Sequence, residues 1–94
     1  MKVVWTSVAE QDRDDIWHHI AVDNIQAAAR LDELFSDAAS RLADHPKQGR
    51  SGKIPGTREL IPHESYRLVY EIHGETVWVL TSVHTPRQWP LAFG

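Results

Sequence analysis

Arg67 stands in the middle of Tyr66-Arg67-Leu68-Val69-Tyr70, an apolar and aromatic run with the alternation of a strand. His84 and Arg87 follow in His84-Thr85-Pro86-Arg87-Gln88-Trp89-Pro90, where another such run ends. A fixed cation, a titratable imidazole and a second cation beside one sheet are what an anion or a phosphodiester requires. The guanidinium groups neutralise charge and the ring moves a proton. Each residue also has an ordinary use. Arg67 can pair with Glu59 or Glu71 across the sheet, His84 can cap or pack a strand end, and Arg87, bounded by two prolines, can be a solvated charge. The set of three is more specific than any one of its members.

Three further cations, Arg50, Lys53 and Arg58, are spaced to extend a phosphate-binding surface; their alternative use is solubility. Trp89 can stack on a base or seal a core edge. Tyr66 and Tyr70 share one alternating face and read as core. His18-His19, with Asp14 four residues before His18, has the spacing of a helical metal pair, but no third ligand is evident, so no metal site is expected. The chain has no phosphate-binding glycine loop, no dinucleotide fingerprint and no nucleophile elbow. No cofactor is expected.

These residues need elements to hold them. Lys2-Val3-Val4-Trp5 is a short β-type run. Ser7 followed by Glu10 predicts a capped helix start. Ala9, Arg13, Ile16, Trp17 and Ile20 then share one helical face, and the early acids suit the positive end of the helix dipole. Asp23-Asn24 breaks this helix. Ala28, Leu31, Phe35, Ala38 and Leu42 form the stripe of a second helix beginning near Ile25, which His45-Pro46 ends. So short a break implies an antiparallel helical hairpin. Pro46 to Gly56 reads as a charged loop. From Thr57 the period drops to two, giving strands over Thr57 to Pro62, Tyr66 to His73 and Thr76 to Val83, with a tight turn at Gly74-Glu75. The order β-α-α-β-β-β predicts an α+β fold. The hairpin packs on one face of a small, largely antiparallel sheet and leaves the other face partly open.

The chain of 94 residues, 41% hydrophobic and 24% charged, suits a single globular domain over 1–94. Without cysteine it has neither disulfides nor thiolate chemistry. No apolar stretch is long enough to span a membrane and no signal pattern opens the chain, so a cytoplasmic location is expected. The net charge of −3 is uneven: residues 1–46 carry four cations against nine acids, and residues 47–94 carry six against four. The first half should be a solvated outer face, whereas the second can meet an anion locally.

In this order and spacing the chain resembles the RelE/ParE family of toxins from bacterial type II toxin–antitoxin modules. The resemblance runs from Trp5-Thr6, Asp12, Asp15 and Ile16 through Asp23-Asn24, His45-Pro46 and Gly49-Arg50. It continues through Pro55-Gly56-Thr57-Arg58-Glu59-Leu60 and Tyr66-Arg67-Leu68-Val69-Tyr70 to His84 and Arg87-Gln88-Trp89-Pro90. It implies a helical hairpin on an antiparallel sheet, growth arrest, and a cognate antitoxin partner from the same operon. RelE-like members cut mRNA on the ribosome without a metal, whereas ParE-like members poison DNA gyrase. In the first case Arg67 would stabilise phosphate charge and His84 would transfer a proton during attack by a ribose 2′-hydroxyl. Arg87, Arg50, Lys53 and Arg58 would then hold RNA. The net acidity, and Glu59 as the sole candidate for a general-base carboxylate, speak for the gyrase class. The ending through Trp89-Pro90 and the Arg67/His84/Arg87 set tip the sequence reading slightly towards RNA cleavage. An inactive toxin that keeps only antitoxin binding is the third alternative.

Overall fold

A computed structural model describes residues 1–63 and 65–84. Strand β1 (Lys2–Trp5) leads into helix α1 (Ser7–Ala21) and helix α2 (Ile25–Arg41). Strands β2 (Arg50–Ser51), β3 (Arg58–His63), β4 (Tyr66–His73) and β5 (Thr76–His84) follow. They form one five-stranded sheet in the order β1-β5-β4-β3-β2. β1 runs parallel to β5, and the other pairs are antiparallel. The α+β hairpin-on-sheet architecture is the expected one, with β2 added at an edge inside what reads as loop.

Local chemistry sets the helix limits. The cap of α1 is Thr6, not Ser7: its hydroxyl accepts the Ala9 N–H at 3.1 Å and donates to the Leu80 carbonyl at 3.1 Å. A threonine that serves both helix and neighbouring strand displaces the serine that the sequence signature favours. Asn24 caps α2 by accepting the Ala27 N–H at 3.0 Å. This helix stops at Arg41, four residues before His45, and the chain winds through turns to Pro46. At Gly74 the β4–β5 turn takes φ +58°, a conformation glycine adopts without Cβ strain.

The core lies between the hairpin and one face of the sheet. Ala9, Leu31, Phe35, Ala38 and Ala39 pack on Tyr66, Leu68 and Val79, while Leu42, Tyr70 and Val77 extend the core towards the loop. The alanines bring helix and sheet close, and Phe35 meets Tyr66 edge to face at 5.9 Å. Arg13 ties the helices together through Asp32, with contacts of 2.5 and 2.9 Å, and lies over the Trp5 ring. The face away from the helices is less open than its pattern suggests, since Val69, Val83 and Glu59 are buried there. No described helix is long and apolar enough to cross a membrane.

Candidate functional site

Arg67 alternates with Leu68 on β4 and so projects from the sheet face opposite the helices. Its Nη1 donates to Glu59 Oε1 at 2.9 Å, and the two side chains are 11% and 2% exposed. Glu59 sits on β3 opposite Val69, which places its carboxylate beside Arg67. The same carboxylate takes the Lys53 N–H at 3.3 Å and lies 3.6 Å from Arg50 Nη2. Two guanidinium groups and a backbone amide thus converge on one buried acid. Of the two acids a strand-face pairing offered, Glu59 and not Glu71 is the partner.

His84 lies on the other face. Along β5, Val77 and Val79 point into the helix-side core. Simple alternation would then send His84 to the side of Arg67. However, Val69 pairs with Thr81 whereas Tyr70 pairs with Val79, so Leu80 is an extra residue in β5. Such a bulge reverses the phase of everything beyond it. Ser82 and His84 therefore face the helices, and Val83 pairs with Arg67. His84 packs against Tyr66 with ring centroids 5.0 Å apart. Asp12 of α1 secures the bulge: its Oδ2 accepts the Thr81 hydroxyl and, at 3.3 Å, the Ser82 N–H. The sheet consequently separates Arg67 from His84, while Arg87 and Trp89 lie outside the described residues.

The loop cations are also divided. Arg58 Nη1 donates to the Gly49 carbonyl at 2.9 Å and to the Lys47 carbonyl at 3.4 Å. Beside it the Tyr70 hydroxyl donates to the Pro46 carbonyl at 2.7 Å and accepts the Gly49 N–H at 2.9 Å. Burial pushes the Tyr70 phenol above its ordinary pKa, against the opposing pull of the Gly49 amide and Arg58. Gly49 is required here, because a Cβ would come within 2.7 Å of the Tyr70 oxygen and 2.8 Å of the Glu59 carbonyl. Arg50 and Lys53 are exposed. His18 lies 3.5 Å from Asp14 on an exposed helix surface, and no three potential metal ligands gather among the described residues.

The sequence reading missed the helix-side clefts. One, of about 340 Å³, is lined by Asp15, Ile16, His19, Tyr66, Ser82 and His84. A second, of about 270 Å³, shares Tyr66 and His84 and continues between α2 and the β3–β4 turn. His63 borders it, its Nδ1 accepting the Ser65 N–H at 3.0 Å. Only the bulge brings Ser82 and His84 there, and no residue type in the sequence announces it.

A two-helix hairpin over one face of a mixed five-stranded sheet defines the protein as a small α+β domain. The chain belongs to the ParE toxin family of type II toxin–antitoxin systems, parDE, whose family model matches residues 3–89. It is 37% identical over 90 residues to the "Putative toxin Y4kP" of Sinorhizobium fredii, covering 95% of this chain and 93% of that one. The fold is similar to that of the chromosomal ParDE TA system from P. aeruginosa, with a TM-score of 0.80, 22% identity and coverage of 89% and 95%. It is also similar to a YoeB/ParE toxin from Agrobacterium tumefaciens, with a TM-score of 0.67, 22% identity and coverage of 89% and 98%. The chain is the toxin of such a module, and its family implies a cognate antitoxin as partner.

Proposed function

We propose that this toxin arrests growth by binding its target, of the DNA gyrase class, and not by cutting RNA. The supporting observation is the division of Arg67 from His84 by the sheet. Cleavage by a 2′-hydroxyl needs a cation and a proton-transferring group at one phosphodiester. Here the cation is engaged by Glu59 at 2.9 Å and the imidazole opens to the opposite side. Arg67 then serves as the partner of a buried acid, and the exposed Arg50 and Lys53 are cations of the same region that a target can reach.

A ribosome-dependent nuclease is the second reading, favoured by the contact of His84 with Tyr66 in a cleft. Pulse labelling after brief induction separates the two. The gyrase reading expects thymidine incorporation to fall before methionine incorporation, with filamentation. Methionine incorporation falling first would overturn it in favour of RNA cleavage. No change in either would mean that only antitoxin binding remains.

A further inference from the structure

Residues 45–58 carry Lys47, Arg50, Lys53 and Arg58 and no acid, in a chain of net charge −3. Arg50 lies by the Glu59 carboxylate on the far face. Lys47 and Arg58 border a different space, a cavity of about 490 Å³ that Ser51, Thr57, Pro55 and Ile72 also line. No residue of either helix contributes to it, and none of its described lining residues is an acid. It lies where β3 starts, since Arg58 pairs with Tyr70, and the β3–β4 turn is at the other end of that strand. Ser51 is the cross-strand partner of Arg58, which puts the two side chains together. Arg58 is half-buried and has no carboxylate partner among the described residues. Its Nη1 donates to the Lys47 and Gly49 carbonyls, which hold the guanidinium in place, while Nε and Nη2 have no partner among the described residues. A half-buried cation without a counter-charge favours an anion arriving from outside. The neighbouring strand acids do not supply one, because Glu59 and Glu71 alternate to the far face. The wall is already shaped: the Gly52 N–H donates to the Thr57 carbonyl at 2.8 Å, and the Thr57 hydroxyl donates to the Ile54 carbonyl at 2.6 Å. Binding there requires little ordering of the loop.

We infer that this cavity binds a phosphomonoester, with the phosphate between Arg58 and Lys47 and the organic group against Pro55 and Ile72. The Ser51 hydroxyl is a further donor to the phosphate. Two cations match a dianion better than the single charge of a diester, and a guanidinium edge matches two phosphate oxygens at once. The volume suits a small ligand. The inference does not depend on which target the toxin arrests.

The test is an NMR titration of the nitrogen-15-labelled full-length chain with adenosine monophosphate at constant ionic strength, with adenosine and dimethyl phosphate as comparison ligands. The amide signals of Ser51, Gly52, Gly56 and Arg58 are expected to shift saturably, with a Kd below about 1 mM. Adenosine should leave them in place, and dimethyl phosphate should bind at least about fivefold more weakly than the monophosphate. Lys47→Glu reverses one wall charge, and Ser51→Asp gives Arg58 a carboxylate of the chain's own. Both alter exposed positions, and each should weaken binding of the monophosphate at least about tenfold. Lys2→Glu, on the opposite edge strand, should stay within about twofold. Unchanged affinity in folded Lys47→Glu and Ser51→Asp would overturn the inference. So would shifts spread evenly over the exposed cations, which is ordinary ion screening. A single-stranded oligonucleotide without a terminal phosphate that moves the same amides and binds at least as tightly would overturn the monoester assignment in favour of a nucleic-acid backbone.

Discussion

The two faces of the sheet bury polar chemistry in different ways. On the far face Arg67 and Glu59 neutralise each other beneath Arg50, while Arg67 Nε is buried without a hydrogen-bond partner among the described residues. On the helix face Arg58 and Tyr70 are held by the backbone of 46–49, while farther along the same face the Ser82 hydroxyl is buried without a hydrogen-bond partner among the described residues. The difference teaches that a cation's presence in a strand does not make it available. A buried guanidinium must be paired to be tolerated, so Arg67 is the arginine most committed to the fold. The bulge instead delivers Ser82 and His84 to the helix-side cleft.

The far face should break most severely. Replacing Glu59 with Ala strands the Arg67 charge in a nearly dry site and should cost about 3–5 kcal/mol in denaturant unfolding. The pair Glu59→Leu with Arg67→Met removes both charges and should recover most of that loss. If the single change costs under about 1 kcal/mol, the far-face pair behaves as a surface bridge and the contrast between faces fails. The folded double variant also sharpens the functional reading: under the gyrase proposal it still arrests growth, whereas loss of arrest would return Arg67 to the target site.

On the helix side, Tyr70→Phe removes two hydrogen bonds and should cost about 1–3 kcal/mol. It should also change the alkaline limb of stability. The phenol's pKa is raised in the folded protein from its ordinary 10.0, so its contribution is complete below pH 10 and is lost as pH rises through the folded value. Unfolding free energy measured from pH 8 upward should decline less steeply above pH 10 in Tyr70→Phe than in the parent. Equal slopes would show that another group governs that limb.

Asp12→Ala releases the Thr81 hydroxyl and the Ser82 N–H and should cost about 1–2 kcal/mol. Its sharper consequence is positional. NMR cross-peaks between the Tyr66 and His84 rings should weaken in Asp12→Ala and vanish when Leu80 is deleted, because the deletion restores simple alternation. Persistence of those cross-peaks in the deletion would show that the bulge does not set the face of His84. The smallest effect is expected from Arg13→Ala. Its pair with Asp32 is 25% and 37% exposed, so solvent screening holds the loss to about 1 kcal/mol in thermal unfolding.

The elements were largely legible because each rests on short-range chemistry. The stripe from Ala28 to Leu42 has helical period, Asn24 marks a cap, and Tyr66 to His73 alternates as a half-buried strand. The two-residue β2 was not legible, since Arg50–Ser51 pairs only because β3 presents Arg58 and Glu59 opposite it. The candidate site was legible as a set of residue types but not as a set of positions. Arg67 and His84 meet in a reading that assumes unbroken alternation through Leu80.

By itself the sequence determined the α+β class, the hairpin and the succession of the four longer strands, because periodicity, caps and turns act over a few residues; the family was legible as a resemblance spanning nearly the whole chain. Tertiary structure alone decided that Glu59 takes Arg67, that Thr6 displaces Ser7 as the cap, and that His84 faces the helices. Each depends on a partner many residues away, and at the bulge one extra residue reverses which face every later side chain occupies.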